Sequence, residues 1–180
     1  MRAVVVYESM YGNTHTVADA IGAGLAEGME RVDVVPVGRA TRELLAGAGL
    51  LVVGGPTHVH GMSRERTRAD AENRVSGGDQ GQTLDEEAAR EGLRDWFDGV
   101  EDLEIPLSAA FDTRAQGSAL VTGRASKGIA RRLDAMGCTA ALPPESFLIA
   151  KGEHLADGER ERARAWGVDL AAHAVDSALL

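Results

Sequence analysis

The chain has 180 residues, of which 44% are hydrophobic and 26% charged, with a net charge of −9 and a pI near 5.0. That length suits one domain with a substantial buried core, and the acidic balance argues against nucleic acid or an anionic membrane as the main partner. A single cysteine, Cys138, excludes an internal disulfide framework and a cysteine metal cluster. No apolar run reaches the ~18 residues of a membrane span, and a strand pattern starts at once without a signal peptide, so a cytoplasmic location is expected.

"AVVVY" (3–7) predicts a buried strand, and Val17, Ile21 and Leu25 then recur on one face of a helix. "VDVVPV" (32–37) predicts a second strand, which Pro36 assigns to a sheet edge. A short helix around "ATRELLAG" (40–47) leads to a third strand, "LLVVGG" (50–55). "PTHVHGMS" (56–63) follows, and then a polar stretch from 64 to 84 that reads as a long loop with disorder of its own. A helix resumes over "LDEEAAREGLRDWFDGV" (84–100), where Leu84, Ala88, Leu93, Trp96 and Phe97 share a broad apolar face.

"PLSAAFD" (106–112) predicts the fourth strand, and "SKGIARRLDAMG" (126–137) a helix closed by Gly137 in a left-handed cap. "SFLIA" (146–150) predicts the fifth strand. The last helix begins near Asp157, with Glu159 and Glu161 in its first turn and Ala163, Trp166, Leu170 and Ala174 on its inner face. Five strands alternating with helices predict a doubly wound α/β sheet spanning 1–180 as one domain.

The stretch "YESMYGNTHT" (7–16) collects hydroxyls and a glycine at a strand-to-helix turn, with no Lys or Arg. In an open α/β sheet, ligands bind beyond the carboxyl ends of the strands. There the helix-start N–H groups and the positive end of the helix dipole favour an anion, and hydroxyls add donors. A phosphate monoester can be held this way without a cation, and Gly12 lets the backbone approach closely. The competing reading is an ordinary turn whose Ser and Thr cap the helix. Neither the G-x-x-x-x-G-K-[ST] motif of nucleoside triphosphate sites nor the G-x-G-x-x-G dinucleotide fingerprint is present here.

"VVVYESMYGNTHTVADAI" (4–21) resembles the FMN phosphate loop of the flavodoxin family, and its "SMYGNT" core is similar to flavodoxin-like quinone reductases and related bacterial flavodoxin-domain proteins. "VVGGPTHVHGMS" (52–63) resembles the family's second loop, which passes along the isoalloxazine ring, and "AAFDTRAQG" (109–117) falls where the third flavin-contacting loop belongs. The resemblance covers essentially the whole chain and implies a five-stranded parallel sheet of order 2-1-3-4-5 with helices on both faces. It implies FMN contacts from Ser9, Met10, Tyr11, Gly12, Asn13 and Thr14, with all but Met10 on the phosphate. Pro56, Thr57, His58, Val59, His60 and Gly61 would follow along the ring, and Asp112, Thr113 and Arg114 would close the site.

The second loop departs from the aromatic sandwich of many flavodoxins, leaving His58 or His60 to stack on the ring or bond its edge. The resemblance also permits the His60–Gly61 peptide to turn its carbonyl toward flavin N5, and Arg114 to face the pyrimidine end of the reduced ring. Asp112 is expected to organise its loop rather than to perform acid–base chemistry. No catalytic residue and no metal site is expected: His15, His154 and His173 read as structural or solvated, and Ser9 is not in a G-x-S-x-G elbow. Cys138 reads as a small buried residue, and "ARR" (130–132) as a solvated helix face.

The function implied is FMN-dependent electron transfer with a redox partner protein or a small quinone-like acceptor. Two alternatives stand beside it: an NAD(P)H-dependent reductase of quinones or nitro compounds, kept open by the basic "SRERTR" (63–68), and a flavin-free regulatory module of the same fold. A phospho-receiver fits poorly, since only Glu8 follows the first strand and "GGPTH" ends the third.

Overall fold

The structure, a computed structural model, describes residues 1–58, 61–62, 92–100, 103–117, 122–151 and 154–178. In chain order the elements are β1 (Arg2–Tyr7), α1 (Asn13–Leu25), β2 (Arg31–Pro36), α2 (Arg42–Leu45), β3 (Leu50–His58) and β4 (Gly61–Met62). They continue with α3 (Leu93–Gly99), β5 (Leu107–Ala115), α4 (Ala125–Ala135), β6 (Thr139–Ala140), β7 (Glu145–Ile149) and α5 (Glu159–Ser177). No helix among the described residues is long and apolar enough to cross a membrane.

The parallel sheet runs β2-β1-β3-β5, and its fifth position is shared by two short pieces. β6 pairs with the start of β5 at Leu107 and Ser108, and β7 with its end from Phe111 to Ala115. The sequence "ALPP" (141–144) divides them, since proline cannot donate to a ladder. The doubly wound order 2-1-3-4-5 is therefore present, with its last strand interrupted. Pro36 does lie at the edge, on β2.

Two strands outrun their apolar runs: β3 continues to His58 and β5 to Ala115. They pair with each other in register through Gly55↔Asp112 and Pro56↔Thr113, so the ladder keeps extending after the hydrophobic pattern ends. Residues expected in loops, Pro56 to His58 and Thr113 to Arg114, are thus fixed on a sheet. The helix expected over 84–100 is present as α3 from Leu93; Leu84, Ala88 and the polar stretch 64–84 lie outside the described residues.

Alternate residues of each central strand face opposite sides, and both sides are apolar because both are covered. Val5, Val52, Ala109 and Phe111 pack under α1 and α5, while Val4, Val6, Leu51, Val53 and Ala110 pack under α3 and α4. Phe111, Phe147 and Trp166 form an edge-to-face cluster with centroids 6.2–6.5 Å apart.

α1 and α5 cross so closely that their contact needs glycine on both sides. A Cβ on Gly24 would lie 2.0 Å from the Arg164 carbonyl oxygen, and one on Gly167 would lie 2.3 Å from that of Ile21. Backbone cannot yield as a side-chain tip does. Gly24→Ala or Gly167→Ala is expected to cost at least about 1–3 kcal/mol in urea denaturation through overpacking. Gly38→Ala, where a Cβ meets nothing within 4 Å, should leave the midpoint nearly unchanged.

The start of α5 is tied to β7 by charge. The Glu159 carboxylate accepts from Leu148 N–H at 2.7 Å and from Arg162 at 2.6 Å, and that guanidinium lies 4.5 Å from the Phe147 ring centroid. Burial pushes the Glu159 carboxyl up, but hydrogen bonds from Arg162 and Leu148, with the charges of Arg162 and Arg114, hold it below the usual value of 4.5. A depressed carboxylate stabilises the fold above its unfolded pKa, and that stability is lost as pH falls through the folded value. Glu159→Gln should therefore cost about 1–2 kcal/mol at neutral pH. The gap to the parent should close as denaturation is repeated at pH values below 4.5.

Candidate functional site

The β1–α1 turn is built around an exposed helix start. Glu8 N–H bonds the Gly54 carbonyl at 2.9 Å, which fixes the exit of β1 beside β3. The chain then turns over buried Ser9 and Met10 to Gly12, whose φ of +83° is the left-handed conformation that glycine adopts without strain. Ser9 Oγ accepts from Gly12 N–H at 3.2 Å, and Thr16 Oγ1 donates back to the Gly12 carbonyl at 3.0 Å. Gly12, which has no side chain to cap with, is the N-cap of α1, and the first turn holds no acidic residue. The positive end of the α1 dipole is thus not offset by an acid of its own first turn.

Glu8 is the acid that would spoil such a site. Its carboxylate is turned to the opposite side of the sheet, where Oε2 accepts from Leu93 N–H at 2.9 Å and caps α3. The hydroxyls of Thr14 and Thr113, both buried, meet at 2.8 Å and lock the turn to the end of β5.

A cleft of about 240 Å³ opens at this edge, lined by Met10, Tyr11, Asn13 and Thr14, by Pro56 and Thr57, and by Thr113, Arg114, Ala115 and Ile149. Three segments far apart in sequence meet there, with Ser9 and Gly12 shaping the turn. His58 pairs with Gly61 in the antiparallel β3–β4 ladder. The His58 side chain, Val59 and His60 lie outside the described residues, and with them the expected imidazole and carbonyl contacts.

Asp112 does not line the cleft. It has no exposure and faces α4, where Oδ2 accepts from Ser126 N–H at 2.7 Å. Arg114 lines the cleft, but its Nη1 donates to the Gly117 carbonyl at 2.9 Å and to Thr122 Oγ1 at 3.2 Å, bracing the connection after β5. Ala115 and Ile149 are lining residues that motif reading passed over. Ile149 arrives because β7 pairs Ile149 with Ala115, a register that no local pattern signals.

The other candidates are structural. His15 stacks on Tyr7 at 4.7 Å between centroids and faces Asp19 at 3.6 Å. His154 and His173 are exposed, and no metal-holding group of three His, Cys, Asp or Glu occurs among the described residues. Cys138 is buried, and burial pushes its thiol up. The "ARR" face is not simply solvated: Arg132 pairs with Asp98 of α3 and lies 5.5 Å from the Phe97 ring centroid.

A doubly wound parallel sheet of order 2-1-3-4-5, with a glycine-capped helix leaving its first strand, places the chain in the flavodoxin-like class of α/β proteins. Residues 5–166 match the sequence model of flavodoxin, and the chain belongs to the flavodoxin family, as a flavodoxin-like redox protein. An archaeal flavodoxin structure is 23% identical with a TM-score of 0.64, covering 97% of this chain and 99% of its own. Oxidised flavodoxin 1 from Bacillus cereus is 16% identical with a TM-score of 0.65, covering 96% of this chain and 99% of its own. Rubredoxin oxygen:oxidoreductase from Desulfovibrio gigas is 16% identical with a TM-score of 0.62, matching 99% of this chain but 37% of its own length. At these identities the structural likeness shows the fold. No curated protein matches the chain.

Proposed function

We propose that this chain binds FMN in the cleft at the carboxyl end of the sheet and carries electrons between protein partners. The observation that carries the reading is the start of α1, where Gly12 caps without a side chain, no acid enters the first turn, and Glu8 is turned away. Backbone N–H groups there, with Tyr11, Asn13 and Thr14, hold a phosphate dianion by neutral donors. Pro56 and Thr57 border the flavin ring, and Thr113, tied to Thr14, keeps the phosphate turn in register with β5. Bound FMN accepts and returns electrons; the protein supplies binding, orientation and electrostatics.

The fit is tested by titrating FMN and riboflavin against flavin fluorescence. FMN should bind more tightly. Thr14→Ala should weaken FMN about ten- to a hundredfold, the value of one charge-assisted hydrogen bond, while riboflavin changes little. Equal losses for both ligands would remove the phosphate from this turn.

The net charge of −9 suits docking on a basic redox protein and opposes unassisted approach by an anionic nicotinamide cofactor. Stopped-flow reduction of the FMN-loaded protein should be slow with NADH or NADPH alone. It should be accelerated by a ferredoxin–NADP reductase, and slowed again by salt. Fast direct reduction followed by turnover with a quinone would make the protein a reductase instead.

A further inference from the structure

Two adjacent N–H groups at the start of α4 are used by two different strands. Ser126 N–H is held by the Asp112 carboxylate of β5 at 2.7 Å, and Ala125 N–H is held by Thr57 Oγ1 of β3 at 2.9 Å. One turn on, α4 meets the other arm: a Cβ on Gly128 would sit 3.3 Å from Met62 Cε. Thr57 and Met62 are cross-strand partners in the β3–β4 ladder, and the Met62 carbonyl also accepts from Arg94 of α3 at 3.4 Å. Both arms therefore rest on a single turn of α4, and that turn is anchored from behind by a carboxylate with no exposure.

We propose that the first turn of α4 positions the ring-side strands β3 and β4, and that Asp112 is the positioning residue acting through it. The inference rests on the flavin reading above and reassigns Asp112 from cofactor contact to support. The physical basis is direction. A carboxylate at a helix N-terminus makes a charge-assisted bond and complements the dipole, so it fixes the orientation of the turn. The next N–H is then aimed at Thr57, which lines the cleft. Among the described residues Asp112 Oδ1 has no partner, so the anchoring is carried by the single bond from Oδ2 to Ser126.

The test compares Asp112→Ala, Asp112→Asn, Thr57→Val and the Asp112→Ala/Thr57→Val double variant in the full chain. Riboflavin affinity reports the ring side without the phosphate, and amide exchange at Ala125 reports the joint in flavin-free protein. Asp112→Ala should weaken riboflavin about tenfold, the scale of one hydrogen bond to a charged group, and leave the ratio of FMN to riboflavin affinity unchanged. Asp112→Asn, whose amide oxygen still accepts from Ser126, should restore most of the affinity. The double variant should be no weaker than Thr57→Val alone, as expected for residues acting along one path.

Parental riboflavin affinity in Asp112→Ala, or additive losses in the double variant, would overturn the proposal. If the parent protein binds neither flavin, the functional reading falls by itself. The joint is then judged on exchange: roughly tenfold faster exchange at Ala125 in Asp112→Ala, reversed in Asp112→Asn, supports it, and unchanged exchange overturns it.

Discussion

The site depends on three parallel strands, β1, β3 and β5, lying side by side in the middle of the sheet. Buried backbone groups must find partners, and these strands satisfy one another from Ala3↔Leu50 and Leu50↔Leu107 up to Pro56↔Thr113. Because they run the same way, the segments leaving them emerge at one edge. Close packing maintains the register: a Cβ on Gly54 would fall 2.1 Å from the Phe111 ring, so glycine there lets β3 and the aromatic cluster share one layer. The meeting of the three cleft segments follows from that pairing.

Among the described residues, electrostatics then separates the start of α1 from those of α3, α4 and α5. α3 is capped by Glu8, α4 by Asp112 and Thr57, and α5 carries Glu159 and Glu161 in its first turn. Each of these uses its positive end internally. α1 has a glycine cap and no acid in its first turn, so its positive end is not offset by a carboxylate of its own. On the function proposed above, this is what lets an acidic protein prefer an anion locally. The distribution of caps matters here more than the net charge.

The apolar runs of β1, β2 and the start of β3 were legible because strands buried on both faces need uninterrupted hydrophobic residues. The "SMYGNT" stretch was legible as a strand-to-helix turn because Gly12, with a φ of +83°, supplies the left-handed conformation before α1. Gly137, with a φ of +85°, and the inner face of α5 were readable for similarly local reasons. Each signal is local, carried by residues close together in the chain.

Other features were decided by partners distant in sequence. The extension of β3 and β5 past their apolar runs depends on each strand having the other as its neighbour. Glu8 directly follows β1, and the partner its carboxylate finds, Leu93 N–H, lies 85 residues on. Asp112 looks like a site residue until Ser126 claims its carboxylate, and Arg132 looks solvated until Asp98 and Phe97 meet it. Ile149 enters the cleft through a strand register. The sequence alone therefore determined the alternation of elements and the conformation of the first turn, which rest on local periodicity and on glycine at a positive φ. The tertiary structure decided which polar side chains face the cleft, because a buried donor or acceptor goes to whichever partner the packing brings within about 3 Å.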